Sequence, residues 1–460
     1  MMQAQAPSTF PPSSSSAASI RRLWVLMATV FVDMIGAMIV LPLLPFYVLE
    51  MGAKPSIVGP LVSAFFIAQM IFSPVWGRLS DRYGRRPMIL AGLVLSAVAF
   101  SLFGLAHTVL LLFLSRLVQG AASGTVGVVQ AYVGDSIHPD ERAKALGWVT
   151  ACTSAGVVIG PVIGSAAAHF GRSAPGAFAA GLCLLNFLFA WRWLPESKRH
   201  AAGPAGAAPR VSVWLRLWDV VRQPASPIGA LIWVYAIGMM AFMAMNAVLG
   251  LYLGRVYGVT KETIGAFYTF VGVISVVMRA VLLGPVVRRL GEVGAMRAGN
   301  LALVLGMAAM PLPAWLQAPP AVRIACFAAI AMLVPIGTAL LFPSTTALVS
   351  RRSPRDEMGQ IMGVQQLFGG ITRSIGPIWS TWLFGVSVML PFWAAAAFML
   401  SGGILTWRIR REPRTWQAGA AAAGAAVGSA QVPDLAEPCA LGEVPEVGVE
   451  APAATTALRG

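Results

Sequence analysis

Asp33 and Arg116 are charged residues that lie deep inside long apolar stretches, where an ionisable group can bind and release protons. Asp33 follows Arg22 by eleven residues, which is about 16 Å along a helix and near the middle of a hydrocarbon layer about 30 Å thick. Arg116 follows His107 by nine residues and reaches a similar depth from the other side. A carboxylate at this depth is costly unless it is protonated, paired or hydrated. Either the two residues form a pair that opens when Asp33 binds a proton or a substrate, or they form a static ion pair that only fixes helix packing.

The whole chain has the composition of an integral membrane protein. Of its 460 residues, 57% are hydrophobic and 11% are charged, whereas soluble domains have about 25% charged residues. The net charge of +15 would suggest a nucleic-acid partner in a soluble protein. Here the basic residues lie beside apolar stretches, where they orient the chain in a membrane. We therefore expect a lipid bilayer as partner and no nucleic acid.

Twelve apolar segments are each long enough to cross a bilayer, since a helical span needs about 20 apolar residues. Most lysines and arginines then fall on one side of the membrane, and five fall in loops on the other side: Lys54, Arg172, Arg255, Lys261 and Arg323. Because basic residues accumulate in cytoplasmic loops, this asymmetry predicts that both termini are cytoplasmic. The predicted spans are 23–48, 57–76, 88–106, 109–134, 145–169, 175–194, 227–253, 263–287, 294–313, 323–349, 358–385 and 388–407.

The two halves of the chain repeat each other. Glu141–Pro161 and Asp356–Pro377 match at an offset of 216 residues in a glutamate, a glycine and a Gly-Pro pair. Gly77–Gly84 has a weaker echo in Gly284–Gly291, which matches its end glycines. A duplicated six-span unit predicts an all-α membrane protein with twelve transmembrane helices in two pseudo-symmetric six-helix bundles around a central cavity, which is a transporter architecture.

This duplication divides the chain into five predicted regions. The two bundles carry the apolar spans, whereas the segments around them are rich in Ala, Gly, Pro and Ser. Such segments cannot bury enough apolar surface to fold. The predicted regions are a disordered N-terminal segment (1–20), an N-terminal bundle (21–195), a cytoplasmic linker (196–225), a C-terminal bundle (226–411) and a disordered cytoplasmic tail (412–460).

Four motifs carry a family resemblance. "GRLSDRYGRRP" (Gly77–Pro87) matches the signature G-x-L-x-D-R-x-G-R-R, and "RLVQG" (Arg116–Gly120) matches R-x-x-x-G. "GVVIGPVIGS" (Gly156–Ser165) is similar to the antiporter motif G-x-x-x-G-P-x-x-G-G, and "FVDMIGAMIVLPLLP" (Phe31–Pro45) is similar to the first span of tetracycline/proton exporters. Over nearly all of residues 21–411, the chain resembles the major facilitator superfamily, and within it the twelve-span drug/proton antiporters.

The resemblance implies a cytoplasmic latch between the two halves that closes when the cavity faces outward. Asp81 would lie against the amino-terminal end of the eleventh helix, where a helix attracts negative charge. Arg85 would hold Asp135 at the cytoplasmic end of span four. The alternative is a solvated charge cluster that only keeps the loop in the cytoplasm. The predicted latch residues are Gly77, Asp81, Arg82, Gly84, Arg85, Arg86 and Asp135.

Small residues in span five form the predicted antiporter helix motif: Gly156, Gly160, Pro161 and Gly164. In the family this motif shapes and seals the central cavity, whereas the alternative is generic helix packing. Polar groups inside a membrane usually face protein or water, which selects a set of substrate-cavity candidates. These are Gln119, Tyr235, Asn246, Gln365, Gln366 and Arg373.

Together these features predict a proton-coupled antiporter that exports small amphipathic compounds by alternating access. The coupling ion would be the proton, with no cofactor and no metal, and the resemblance implies a monomer in the bacterial inner membrane. An importer or facilitator of a sugar or organic acid is the alternative, although the spans offer few hydrogen-bonding side chains for a sugar. A non-transporting sensor on the same fold is a third hypothesis. No nucleophile–base set that would indicate an enzyme is visible in the sequence.

Overall fold

The regular structure of the protein is helical throughout the residues that the computed structural model describes, which are 16–137, 139–197, 218, 220–224, 226–354 and 357–409. A helix satisfies every backbone polar group within its own segment, which is what an apolar span needs in lipid. In the first half the helices are α1 (Ser16–Glu50), α2 (Val58–Tyr83), α3 (Arg85–Gly104), α4 (Val109–Ala122), α5 (Thr125–Ser136), α6 (Pro139–Ala168) and α7 (Ala174–Trp193). In the second half they are α8 (Pro227–Tyr257), α9 (Ile264–Val277), α10 (Leu283–Ala309), α11 (Pro320–Ala331), α12 (Leu333–Arg352), α13 (Met358–Val386) and α14 (Leu390–Arg408).

Helix ends lie on two sides of the molecule. We call the side with the α2–α3 and α12–α13 connections the Gly84 side, and the side with the α1–α2 and α13–α14 connections the Gly52 side.

Two predicted spans are each built from two consecutive helices, since α4 and α5 together correspond to 109–134 and α11 and α12 to 323–349. A π-helical turn, Met278–Leu282, joins α9 to α10.

Ten helical segments in the described part of the chain are long and apolar enough to span a membrane. One of them, Ile264–Trp315, contains two spans, because Gly291 breaks α10 with φ 72° and ψ 169°. Gly265, before the break, lies against α6. Gly299 and Gly306, after the break, lie against α12, and the chain there runs in the direction opposite to the segment before the break. The chain therefore reverses at Gly291 on the Gly84 side.

The remaining span is α13, which is not among these ten segments. It carries polar residues such as Gln365, Thr372 and Arg373, and it packs against α8 of its own half and α2 of the other half. A helix enclosed by protein can carry polar side chains that lipid would not accept. The helices thus account for all twelve predicted spans, and the predicted all-α membrane architecture is confirmed.

The two halves pack their helices in the same pattern. In the first half α1 packs extensively against α6 and α3 against α7; in the second half the matching pairs are α8 with α13 and α10 with α14. The connection at Gly84 has φ 103° and ψ 163°, close to the values at Gly291. Only glycine adopts such a positive φ at little cost, so the echo between Gly77–Gly84 and Gly284–Gly291 marks the same turn in both halves.

The predicted unstructured regions overlap the described residues only in part. Helix α1 begins at Ser16, so residues 16–20 of the predicted disordered segment are helical. The predicted tail (412–460) and most of the predicted linker (196–225) lie outside the described residues.

Candidate functional site

Asp33 lies in the middle of α1 and faces the interior of the first bundle. Its carboxyl interacts with the Ser96 hydroxyl of α3, and Cys183 of α7 lies nearby. No ion pair joins Asp33 to Arg116 among the residues that the structure describes. The two charges that the sequence places at similar depths are therefore not paired in this conformation.

Arg116 is buried in α4 with only 3% of its surface exposed. Its guanidinium lies 5.9 Å from the Phe65 ring centroid and 6.0 Å from that of Phe103. Its Nε and Nη2 atoms, and the Oε1 atom of Gln119 one turn further, have no hydrogen-bond partner within the described structure. Buried donors without partners cost about 1–3 kcal/mol each, and more for charged groups, so they are rare in native proteins.

On the Gly52 side the two halves contact each other along two seams. In the α2–α13 seam, the Ser63 hydroxyl donates to the Ser374 carbonyl at 2.5 Å, and Gly59 packs directly on Pro377. In the α6–α9 seam, the Gly265 N–H donates to the Ser165 hydroxyl at 2.8 Å. These direct contacts close the molecule on the Gly52 side.

On the Gly84 side the α2–α13 seam opens. Residues seven apart lie on one face of a helix, so Gly77 continues the face of Met70 on α2, and Gly363 continues the face of Gly370 on α13. Gly370 still lies next to Met70, but a Cβ at Gly77 or at Gly363 would meet nothing within 4 Å. A central cavity between the halves is therefore open toward the Gly84 side.

The α6–α9 seam opens in the same direction. Gly272 packs on Val158, whereas Gly147, eleven residues earlier on the same face of α6, has nothing within 4 Å of a Cβ. Because both seams open toward the same side, the opening is a property of the whole interface between the halves.

An ion pair between the halves closes the Gly52 side at its rim. Lys261 Nζ lies 2.6 Å from Glu50 Oε1. The pair borders a cavity of about 570 Å³ lined mainly by apolar side chains such as Phe46, Leu251 and Phe384. Sequence analysis missed this pair, since it counted Lys261 only as a basic residue of a loop and did not single out Glu50.

Replacing Glu50 with glutamine is expected to favour the conformation that is open on the Gly52 side. The pair is partly exposed, and such pairs contribute about 0.2–1 kcal/mol, so we expect a labelling rate roughly 1.5- to 5-fold higher. The measurement is reaction of a maleimide with Thr381→Cys, a buried position in the seam, in a chain with its native cysteines replaced. Glu262→Gln is the control, because it removes the same charge beside Lys261 without the Glu50 contact. Equal rates in both variants would contradict a gating role for the pair.

The predicted latch residues cluster on the Gly84 side within the first half. Arg85 Nη1 lies 2.9 Å from Asp81 Oδ1, and Arg85 Nε lies 2.9 Å from Asp135 Oδ2. The side chain of Asp81 is 62% exposed. Asp81 follows Gly77 by four residues and so lies on the face of α2 that points to α13. The Arg85–Asp135 contact agrees with the geometry that the family resemblance implies, while the latch role itself stays a prediction.

The remaining basic latch residues, Arg82 and Arg86, lie on either side of the turn between α2 and α3. Arg82 lies over the Tyr83 ring at 5.4 Å, and Arg86 Nη2 donates to the Trp191 carbonyl at 2.6 Å. The backbone N–H groups of Arg85 and Arg86 donate to the Glu196 carboxylate. An acidic group at a helix amino terminus is favourable, so Glu196 caps α3. In the sequence Glu196 stands out only as the acidic residue of "LPES", directly after span six. The sequence does not show that its partner is the start of α3.

The second half contains the counterpart of the Arg85–Asp135 pair with its charges reversed. Glu292 follows Gly291 as Arg85 follows Gly84, and Arg351 follows Asp135 at the repeat offset of 216. Glu292 Oε1 lies 3.1 Å from Arg351 Nη2. Sequence analysis missed this pair, because it recognised the repeat by matching glycines. The acid and the base stand at exchanged positions in the two halves, so these residues do not match when the halves are aligned.

The glycines of the antiporter helix motif pack α6 against α1. A Cβ at Gly156 would meet the Phe31 carbonyl, and a Cβ at Gly164 would meet the Ile39 backbone. Gly160, between them, faces Met38 and the Ile35 carbonyl. The carbonyl of Pro161 lies on another face of the helix and touches Gly265 of the second half. The motif therefore lies between α1, which carries Asp33, and the α6–α9 seam.

Replacing Gly160 with leucine is expected to destabilise the protein by at least 1–3 kcal/mol, the usual cost of overpacking. The new Cβ would come within 2.5 Å of the Met38 Cβ and 2.9 Å of the Ile35 carbonyl oxygen. Thermal unfolding in detergent would measure the effect as a lower midpoint. Gly181→Leu in α7 is the control, since its Cβ meets nothing within 4 Å. Equal midpoints for the two variants would show that the α1–α6 contact tolerates expansion.

The predicted cavity residues of the second half fall into two groups. Gln365 is fully buried and its Nε2 donates to Thr346 of α12 at 3.1 Å, so it lies inside the second bundle. Asn246 donates to the Phe242 carbonyl of its own helix at 2.8 Å, and Gln366 is exposed. Tyr235 and Arg373 are the two candidates that the structure brings together, on either side of Gly369.

Comparison with known proteins agrees with this architecture. The model of the Major Facilitator Superfamily matches residues 26–377. Multidrug resistance protein 2 of Bacillus subtilis (strain 168) is 29% identical over 397 residues, covering 84% of this chain and 95% of that protein. Tetracycline resistance protein, class C, of Escherichia coli is 27% identical over 387 residues, covering 83% of this chain and 94% of that protein.

A solved structure shares the fold at low identity. The structure of the nucleoside transporter NupG superposes with a TM-score of 0.70 at 12% identity, covering 85% of this chain and all of that one. The family consists of membrane transport proteins and not enzymes, which agrees with the predicted multi-pass transporter of a small molecule. With the motifs, the paired helix bundles and the family match over most of its length, the chain belongs to the Major Facilitator Superfamily.

Proposed function

We infer that this protein is a proton-coupled antiporter that exports small amphipathic compounds by alternating access. The observation that carries the proposal is Asp33, a carboxyl in the middle of α1 without an ion-pair partner among the described residues. An intramembrane acid that is not neutralised by a fixed partner is suited to carry a proton.

Arg116 supports this role by remaining unpaired in the same conformation. Its buried Nε and Nη2 atoms lack hydrogen-bond partners within the described structure, and no acidic side chain pairs with it among the described residues. Deprotonation of Asp33 would create a counter-charge in the same bundle, and protonation would remove it. Proton binding thereby changes the relative energy of two packings of the first bundle, which is what coupling requires.

The opening of the halves supports alternating access. If the Gly84 side is cytoplasmic, as the distribution of basic residues predicts, the structure is the inward-open state of the cycle. Both termini then lie in the cytoplasm, and Asp81 is placed to close on α13 when the cavity faces outward. A cytoplasmically open cavity is the state in which an exporter loads its substrate.

The relatives support export of drug-like compounds. Relatives that match 83–84% of this chain are named for multidrug, tetracycline and quinolone resistance. Amphipathic molecules bind mainly through apolar contacts with a few polar groups, and the partly buried Phe242 and Phe342 rings of the second bundle can supply such contacts.

Proton antiport would be tested in inside-out vesicles that contain the protein. Respiration acidifies the vesicle interior, and a panel of lipophilic drugs is then added while a fluorescent dye reports the proton gradient. We expect at least one drug to collapse part of the gradient only when the protein is present. No response to any drug, with the protein shown to be folded and inserted, would contradict the proposal and direct attention to counterflow of sugars and organic acids.

A further inference from the structure

An arginine and an aromatic cluster meet at one point of the second bundle, beside the gap between the halves. Gly369 of α13 has no side chain, and a Cβ there would lie 2.7 Å from Tyr235 Cε1 and 3.6 Å from Arg373 Nη2. The phenol ring and the guanidinium therefore approach each other across the same glycine. Tyr235 belongs to α8, so the juxtaposition depends on the α8–α13 contact and not on sequence proximity.

The aromatic cluster extends from Tyr235 along α8 and α12. The Tyr235 and Phe342 rings are 5.5 Å apart at 70°, and Phe342 and Phe242 are 6.3 Å apart at 67°. Tyr235 is 6% exposed, whereas Phe242 and Phe342 are only partly buried. Phe242 and Phe342 therefore keep part of their ring surface accessible beside the buried Tyr235.

Arg373 is held in place but its end remains available. Its Nε donates to the Gly369 carbonyl at 3.0 Å, which fixes the side chain. Its two terminal nitrogen atoms make no hydrogen bond and are not buried in the described structure. No acidic side chain pairs with it among the described residues.

Arg373 also lies on the face of α13 that points to the gap between the halves. Gly369 and Gly376 face α8, and Gly370 faces Met70 of α2. Arg373 is four residues after Gly369 and three after Gly370, so it lies between these two faces. Arg373 thus lies near the closed end of the gap, and because its terminal nitrogen atoms are not buried, a molecule bound in the gap can contact them.

We propose that the Arg373 guanidinium binds the carboxylate of aromatic amphipathic substrates whose rings pack against Tyr235, Phe242 and Phe342. A guanidinium binds carboxylates with two parallel hydrogen bonds, and the adjacent rings supply an apolar wall for the aromatic part. A cationic substrate would gain from the rings but would be repelled by Arg373. The inference rests on the proposed export function and names the substrate class of the same cavity.

Three probes of one scaffold would test the proposal by fluorescence titration of the purified protein in detergent. Dansylglycine carries a carboxylate, its methyl ester is neutral, and a dansylamide with a trimethylammonioethyl group is a cation. We expect the native protein to bind the carboxylate probe about tenfold to hundredfold more tightly than the ester, the range for a charge-assisted hydrogen bond. Equal binding, preference for the cation, or no carboxylate binding overturns the proposal.

Variants locate the preference on Arg373. Arg373→Gln is expected to remove the carboxylate preference while the ester affinity stays within about twofold, since only a charge-assisted contact is lost. Arg373→Lys keeps the charge without the planar fork, so it should retain part of the preference even if the glutamine variant fails to fold. Arg279→Gln removes another arginine from the membrane-spanning part of the second half, outside the aromatic cluster, and should retain the full preference. An unchanged preference in both Arg373 variants overturns the assignment.

Transport of the same probes separates this inference from the proposed function. Carboxylate-selective binding without proton-driven flux would leave the binding site standing and overturn the antiporter. Proton-driven flux of the cation without any carboxylate preference would leave the antiporter standing and overturn the binding site.

Discussion

Replacing Asp33 with asparagine is expected to slow proton-driven export by about 100-fold while leaving the protein folded. Asparagine keeps the shape and the hydrogen-bonding capacity toward Ser96, but it cannot carry a proton. A charged carboxylate at the centre of a bilayer costs about 2.5–3.5 kcal/mol, which corresponds to roughly 100-fold in an equilibrium constant. Since this energy difference links protonation to the conformational cycle, we expect the rate of uphill export to fall by about that factor.

The measurement compares two kinds of flux in reconstituted vesicles. Export driven by a pH gradient needs the proton, whereas exchange of labelled for unlabelled substrate at equal pH needs only the conformational change. Asp33→Asn should lose the first and keep the second. Asp33→Glu is the control, because it retains a titratable carboxyl at the same place and should keep measurable coupling. Full pH-driven export by the asparagine variant would show that protons travel by another route.

The twelve spans could be predicted from sequence because each helix that crosses a bilayer needs about 20 consecutive apolar residues, a pattern that is visible in the sequence. Span 358–385, which corresponds to α13, was predicted with the others although it carries more polar residues, and the repeat of Glu141–Pro161 in Asp356–Pro377 agrees with that prediction. The Gly84 turn was also foreseeable, since a glycine between two long helices is suited to a positive φ. The equivalent break at Gly291 was indicated only weakly, by two matching glycines.

The relation between Asp33 and Arg116 could not be predicted, because residue spacing gives depth along a helix but not its rotation. The structure turns Asp33 toward Ser96 of α3 and places Arg116 between Phe65 and Phe103. Likewise the Tyr235–Arg373 juxtaposition depends on how α8 and α13 pack, which the sequence of neither helix specifies. The direction in which the cavity opens is a property of the interface between the halves, so no local pattern records it.

Reversing one charge of the Glu292–Arg351 pair is expected to destabilise the second half, and reversing both should restore much of the loss. Glu292 is largely buried, with 13% of its side chain exposed, whereas Arg351 is 41% exposed. Glu292→Arg places two positive groups about 3 Å apart in a partly buried site, which we expect to cost about 1–3 kcal/mol, less than the 3–5 kcal/mol for breaking a fully buried pair. Arg351→Glu should cost a similar amount, because two carboxylates would then face each other.

The double variant would copy the arrangement of the first half, in which the arginine follows the glycine turn and the acid ends the helix that packs beside it. Thermal unfolding of the native protein, the two single variants and the double variant forms a cycle that isolates the pairwise interaction. We expect the double variant to recover at least half of the decrease in the midpoint temperature of unfolding that the single variants show. A double variant as unstable as the sum of the singles would show that the two halves are not interchangeable at this position. Recovery would instead mean that the duplicated turn needs opposite charges at these two places but not a particular order, which explains how the order came to differ between the halves of one chain.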